Sequence, residues 1–433
     1  MSTYELRFDH PDTSGVDPAR TFFWRTDDAS TIDGRLLSAS RIGPRLGALG
    51  PVAERNVDLV RIAVAVFAAD RSTRRTGGGS NWNRRELTIA VPVFDPAAWQ
   101  AVSAQLESLV GLLSGDDWTF VFTPDNSVDE DVAESDHDPK RIVLLSGGAD
   151  SALGALRSRS ELGDGEAHTL VSHWSAPVLP RIQKEIAESL ATLVPGPGQH
   201  HIQAKLSRVT KRYDGKAWAS EESQRSRSLL FLALGLAVAS INGVPVWIPE
   251  NGFASLNPPL SPERLGSVST RTTHPAFLAG LRDLLDAVGA STEIRNPFAG
   301  STKGEMFHWA GEFVGEEPAS DFLSITHSCA HSGQRSFHVS TKVSCGVCFG
   351  CLVRRASFKA AGLDDKTNYV DGDGDPQLER WLNEKSLAEV IRRFVARGVS
   401  GREIVAMGLP DDMRVSEARD LCCRGLSELA LLE

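Results

Sequence analysis

Apolar residues alternate along the stretch Val60, Ile62, Val64 and Val66, with Arg61, Ala63 and Ala65 between them. A period of two is the mark of a β-strand with one buried face. Leu87, Ile89, Val91 and Val93 repeat the pattern beyond the loop TGGGSNWN, so a hairpin with a long loop is predicted. Asp95 then stands at an N-cap and Pro96 at the first helical position, and Trp99, Val102, Leu106, Leu109 and Leu113 recur on one helical face. WTFVF at 118–122 supplies a further strand. Residues 1–123 thus read as a smaller α+β domain.

The segment PDNSVDEDVAESDHDP holds seven acids, no Lys or Arg and no apolar period, which makes 124–139 an acidic linker. Beyond it the pattern becomes strand, helix, strand. RIVLL, HTLVSHW, HHIQA, VPVWIP and TEIRNP read as five strands, separated by amphipathic stretches such as 178–193, 223–241 and 275–288. That alternation implies a parallel sheet covered on both faces, an α/β domain over 140–371. From 372 to 433 the chain turns helical. Leu387, Val390, Ile391 and Phe394 share a face, and Ser400 with Glu403 fits a capping box.

At 433 residues the chain exceeds the size of a single core, and 41% hydrophobic with 24% charged residues is the balance of a soluble globular protein. The sequence contains no apolar run of membrane-spanning length, and MSTYELRFDH is polar from the start, so the expectation is a cytoplasmic protein with no membrane partner. A net charge of −10 argues against nucleic acid as a partner. One local exception stands out. Lys205, Arg208, Lys211, Arg212, Lys216, Arg225 and Arg227 face only Asp214, Glu221 and Glu222, which suits either a phosphate or a solvated surface.

The strand RIVLL runs into SGGADS: Ser146, Gly147, Gly148, Ala149, Asp150 and Ser151. Two glycines remove side chains and permit positive φ, so that successive N–H groups converge on an anion at the start of a helix. Ser146 and Ser151 add hydroxyl donors. Without a ligand the same sequence would be a tight turn, but its strand–turn–helix setting favours phosphate. Neither the Gly-Lys-Ser/Thr loop nor the three-glycine dinucleotide fingerprint is present.

A second constellation is Cys329, Cys345, Cys348 and Cys351. Two consecutive CxxC steps place three thiolates near one ion, and a fourth completes a tetrahedral zinc site of structural type. An iron–sulfur cluster would use a further Cys-Pro that is absent, and buried unliganded thiols are the other reading. Cys329 is the least secure ligand, with His327, His331 and His338 near enough in sequence to replace it. Cys422 and Cys423 read as core or surface thiols. Asp371, Asp373 and Asp375 in DGDGDP mimic a calcium loop, yet Pro376 and Leu382 occupy its sixth and twelfth positions, so a turn is predicted.

SGGADS resembles the SGGxDS signature of PP-loop ATP pyrophosphatases, an adenine nucleotide α-hydrolase-like fold. Together with CGVCFGCLVRR, Gly362, Asp365 and Tyr369, it resembles the 7-cyano-7-deazaguanine synthase (QueC) family over about 139–371. RSLLFL matches that family's R-N-x-x-F-L helix at Arg227, with Ser228 for Asn. NPFAGSTKGEM matches its P-x-x-x-x-T-K-x-E segment at Lys303. The resemblance implies ATP bound at Ser146–Ser151, Ser172 and Arg227, with Asp150 acting through Mg2+ and Lys303 near the phosphates. It also implies substrate contacts at Glu250 and Asn251, and Zn2+ at the four cysteines. SHWSAPVLPRI departs from the family's Y-G-Q-R-H, so only the neighbourhood of Ser172 and His173 carries over. ENGFASLNPPLSPERLGSVSTRTTHP departs around the substrate, including the run from Ser269, and the Cys329–Cys345 gap is long. In length and layout the chain resembles the QueC-like component of bacterial anti-phage operons, the QatC group.

The implied reaction is ATP-dependent adenylation of a 7-carboxy-7-deazaguanine-like carboxylate. Ammonia as acceptor leads to an amide and nitrile; the amine of a partner protein from the same operon leads to a conjugate. A PP-loop tRNA-modifying enzyme and a non-catalytic ATP-sensing subunit are the rival readings.

Overall fold

The computed structural model describes residues 2–432 except 10–14, 76–83, 126, 128–130, 135–136, 175, 198, 222–224, 260–270, 291–292, 332–338, 341–342 and 373. The loop TGGGSNWN, His338, Asp373 and the start of the Ser269 run lie outside the described residues.

Among the described residues ten strands follow in chain order: β1 (Ser2–Arg7), β2 (Thr21–Phe23), β3 (Ile32–Leu36), β4 (Glu86–Val93), β5 (Asp117–Pro124), β6 (Ile142–Leu144), β7 (Thr169–His173), β8 (His200–Arg208), β9 (Val246–Trp247) and β10 (Ile294–Arg295). They form two sheets, a four-stranded one in the order β2-β1-β4-β5 and a six-stranded one in the order β10-β9-β6-β7-β8-β3. Every pairing is parallel except β3 with β8.

The five strands expected after the linker all form, as does the capping box at Ser400 and Glu403. The N-terminal region departs from expectation. Val60 to Val66 lie in the helix Glu54–Ser72, not in a strand, so the hairpin is replaced by a parallel sheet. Sixteen of the helix's nineteen residues are buried, because it is packed between the first sheet and the helix Arg227–Asn242. A helix walled on all sides carries apolar residues at every angle, and small Ala between Val then imitates a strand period. Its buried charges are answered locally: Asp58 accepts from Phe94 N at 2.8 Å and Trp99 Nε1 at 3.0 Å, and Arg61 Nε donates to Pro44 O at 2.7 Å. Asp70 accepts from Ser226 Oγ at 2.6 Å and thereby fixes the head of the helix Arg227–Asn242.

β3, from the N-terminal region, closes the edge of the second sheet, and one hydrophobic cluster runs from Tyr4 and Val64 to Leu234 and Ile294. The other face of the six-stranded sheet packs Val143, Leu153, Ile186, Phe307 and Phe358 into a second cluster. The C-terminal helices bury Ile391, Phe394, Ile404 and Leu421 in a third. In DGDGDP, Asp375 caps the helix Pro376–Lys385 by accepting from Gln377 N and Leu378 N, which is the turn foreseen rather than a cation loop.

β6 has β7 on one side and β9 on the other, so chain order reverses at β6. The crevice beyond the carboxyl ends of β6 and β9 is where an open parallel sheet offers a ligand site. Gly154 allows the two elements at this crevice to close: a Cβ there would stand 2.0 Å from the Pro249 ring. Gly154→Ala is expected to destabilise the chain by about 1–3 kcal/mol, measured by urea unfolding, since a buried proline ring cannot yield.

Candidate functional site

The loop after β6 turns at Gly147, whose φ of 98° lies in the left-handed region. Gly148 then caps the helix Ala149–Glu161 with an extended φ of −85°. Ser151 Oγ donates to Gly148 O at 2.8 Å and accepts from Ser146 N at 3.2 Å, while Ser146 Oγ stands 3.0 Å from it. Gly148 N donates to Ser146 Oγ at 3.3 Å. The two hydroxyls thus hold the loop's shape. On its outer side His327 N donates to Gly147 O at 2.8 Å, and from beneath Gln183 Nε2 donates to Ser146 O at 3.3 Å.

Asp150, in the first turn of that helix, meets Lys303 Nζ at 2.9 Å, with both side chains nearly buried. Asn251 Nδ2 donates to Asp150 at 3.4 Å and to Glu250 Oε1 at 3.3 Å. The amide is aimed by its other end, since Asn251 Oδ1 accepts from Ala254 N as the cap of the helix Gly252–Leu256. Glu250 lies within hydrogen-bonding reach of Asp150. Burial first, and then the Asp150 charge, push its carboxyl well above the ordinary range. Carboxylate oxygens are the ligands that hard divalent cations take, and here the Lys303 ammonium occupies one side of Asp150.

Ser172 and Arg227 sit further along the same end of the sheet. Ser172 is fully buried, and its hydroxyl donates to Leu145 O at 2.6 Å, behind the loop. Arg227 heads the helix Arg227–Asn242 and faces His173, whose imidazole is lowered to about 4, chiefly by burial. The structure therefore gathers Asp150, Glu250, Asn251 and Lys303 into one cluster at the loop, and sets Ser172 and Arg227 to its flank.

The four cysteines converge. Their Sγ atoms all lie within 4.8 Å of one another, and all four residues are buried. Cys329 belongs to the set, accepting from Cys345 N and His331 N at 3.3 Å each, whereas the His331 ring packs edge-on against Trp381. Hydrogen bonding to Cys329 pulls the Cys348 thiol down, and hydrogen bonding to Cys329, Cys345 and Cys348 drives that of Cys351 up. Hydrogen bonding to Cys329 lowers the Cys345 thiol too, so two of the four thiols go down and two go up, and four thiols this close could hold a soft metal ion. Tyr369 and Asp365 support it, Tyr369 Oη donating to Asp365 Oδ2 at 2.6 Å beside the cluster. Arg354 is buried and bonds Thr326 Oγ1 at 2.8 Å and Thr367 Oγ1 at 2.9 Å. It thus holds the segment that delivers His327 to the loop.

Sequence patterns left several contributors unmarked. Asn296 brackets Glu250, accepting from its N–H at 3.2 Å and donating to its carbonyl at 2.8 Å. Thr302 caps the helix Lys303–Val314 with Glu305. Glu428, from the C-terminal helix, accepts from Thr302 Oγ1 and from Gly304 N at 2.9 Å, bracketing Lys303. No local signal could show a contact made across 126 residues.

The architecture and the placement of this cluster define an α/β protein with a charged ligand cleft at its switch point and a four-thiol centre beside it. No family model matches the chain. It is similar to the 7-cyano-7-deazaguanine synthase of Methanococcus aeolicus, 30% identical over 247 residues, which are 53% of this chain and 99% of that one. The synthases of Cupriavidus taiwanensis and Cupriavidus necator are each 27% identical, across 53% of this chain and 97% of theirs. The chain belongs to the 7-cyano-7-deazaguanine synthase family. Among the described residues no helix is long and apolar enough to cross a membrane.

Two measurements check the site. Metal analysis of the purified chain should find about one equivalent of metal, with Cys351→Ser losing it. Glu250 has a raised carboxyl, so without metal the folded chain holds a proton that the unfolded chain releases above the ordinary range. Stability therefore falls as pH rises through that window. Glu250→Gln should raise the Tm on the order of 2 °C at pH 8 in magnesium-free buffer, and the gain should vanish as pH falls toward the ordinary carboxylate range.

Proposed function

We propose that the chain is an ATP-dependent C–N ligase that adenylates a 7-carboxy-7-deazaguanine-like carboxylate. The observation that carries this reading is the meeting of Asp150, Glu250, Asn251 and Lys303 at the loop after β6. The family membership supports the deazaguanine, and the loop supports the triphosphate. Backbone N–H groups at the head of Ala149–Glu161 and the hydroxyls of Ser146 and Ser151 bind phosphate oxygens. The Lys303 ammonium offsets the negative charge that builds on the α-phosphate oxygens as the phosphorus is attacked.

A carboxylate oxygen of the substrate attacks the α-phosphorus, and the bond to the bridging oxygen breaks as pyrophosphate leaves. The product is an acyl-adenylate, because a carboxylate is a poor electrophile and AMP a good leaving group. An amine then attacks the acyl carbon, AMP departs and an amide forms; with ammonia as donor, a second activation yields the nitrile. Magnesium, when bound by Asp150 and Glu250, supplies charge neutralisation on the phosphates. On the family resemblance, Glu250 and Asn251 also contact the substrate's base. Zinc, when bound by Cys329, Cys345, Cys348 and Cys351, supplies a fixed wall behind His327 rather than an open coordination position.

The relatives cover 53% of the chain. On its resemblance in length and layout to the QatC group, we propose a role in an anti-phage operon, where a partner protein's amine takes the acyl group. Intact-mass measurement of proteins co-expressed from the operon separates the two acceptors. For the activation step, purified chain with carboxydeazaguanine and ATP should yield AMP and pyrophosphate. Asp150→Ala and Lys303→Ala should each lower that rate by about 10²–10³-fold. Intact ATP with every carboxylate and partner offered would sink the reading in favour of an ATP sensor.

A further inference from the structure

β8 ends on the basic stretch, at a place the loop chemistry leaves unused. Between that end and the last turns of helix Glu54–Ser72 lies a cavity of about 350 Å³, walled by Phe67, Arg71, Lys205, Arg208, Thr210 and Trp218. Lys205 is already neutralised by Asp33 at 2.7 Å. Arg71 and Arg208 are different. Among the described residues neither has an acidic partner, and Arg208 spends its terminal N–H groups on the carbonyls of Val209, Arg71 and Ala219.

Two further donors are stranded beside them. Arg208 Nε and Trp218 Nε1 are buried and have no hydrogen-bond partner among the described residues, and Trp218 is 7% exposed. A buried donor without a partner costs about 1–3 kcal/mol. Burial and then the neighbouring Arg71 lower the Arg208 guanidinium to about 10, so the pair meets as two like charges in a half-closed space. A dianion placed there would relieve both costs together, pairing two guanidinium charges and satisfying the stranded donors. The cavity's limited volume and the chain's net charge of −10 disfavour a polynucleotide.

We propose that this cavity is a second ligand site that binds a phosphate monoester, its dianionic group between Arg71 and Arg208 and the group it carries against Phe67 and Trp218. The site lies two strands away from the loop after β6, and it does not rest on the adenylation reading. Arg71 is the clean probe, because its side chain makes no hydrogen bond or ion pair among the described residues.

Phenyl phosphate titrated calorimetrically into the full chain should bind, and Arg71→Gln should weaken it about tenfold with an unchanged Tm. Lys303→Ala should leave the phenyl phosphate affinity unaltered, which separates this site from the loop. Absence of binding, equal affinity in Arg71→Gln, or equally tight binding of benzoate would overturn the proposal. So would displacement of phenyl phosphate by a short single-stranded DNA at physiological salt, which would make the site one for nucleic acid.

Discussion

Asp150 and Glu250 are two carboxylates held close together in a nearly dry crevice, with Lys303 2.9 Å from the first. Like charges in such a place repel, and desolvation raises the cost further. Their approach is maintained only because each is fixed by separate elements: Asp150 by the first turn after the glycine loop, Glu250 by the Asn296 bracket after β9, Lys303 by the cap at Thr302. The crowding raises the Glu250 carboxyl, and a cation placed between the two groups would lower that cost. A site that strains without its ligand is preorganised to gain by binding it.

Two distant parts of the chain bear on that crevice. The C-terminal helix Val415–Leu429 presents Glu428 to the head of the lysine helix, and Gly425 lets it approach until a Cβ would stand 2.4 Å from the Phe253 ring. The helical extension is therefore a wall of the site. From the other side, the four cysteines and Arg354 fix residues 323–331, so that His327 can close the loop at Gly147. Metal held there would stiffen the loop without touching the ligand.

The N-terminal sheet is coupled to the same framework through the buried helix Glu54–Ser72. Asp70 in that helix receives Ser226, the residue before Arg227, so a polar contact inside the core sets where the Arg227 helix begins. Buried polar groups of this kind specify register where apolar packing would tolerate several.

The sequence by itself determined five of the second sheet's six strands, the glycine turn after β6 and the thiol cluster. Each is written in local spacing: continuous apolar runs before glycine, CxxC steps, an Asp or Ser cap before a helix. It misread Val60 to Val66, because alternation of large and small apolar residues has one meaning at a half-exposed strand and another in a helix buried all round. Tertiary structure alone decided that β3 joins the second sheet, that Asn296 and Glu428 frame Glu250 and Lys303, and that two guanidiniums with no acidic partner among the described residues share a cavity. Those facts depend on burial and on contacts across tens to hundreds of residues, and a one-dimensional pattern carries neither quantity.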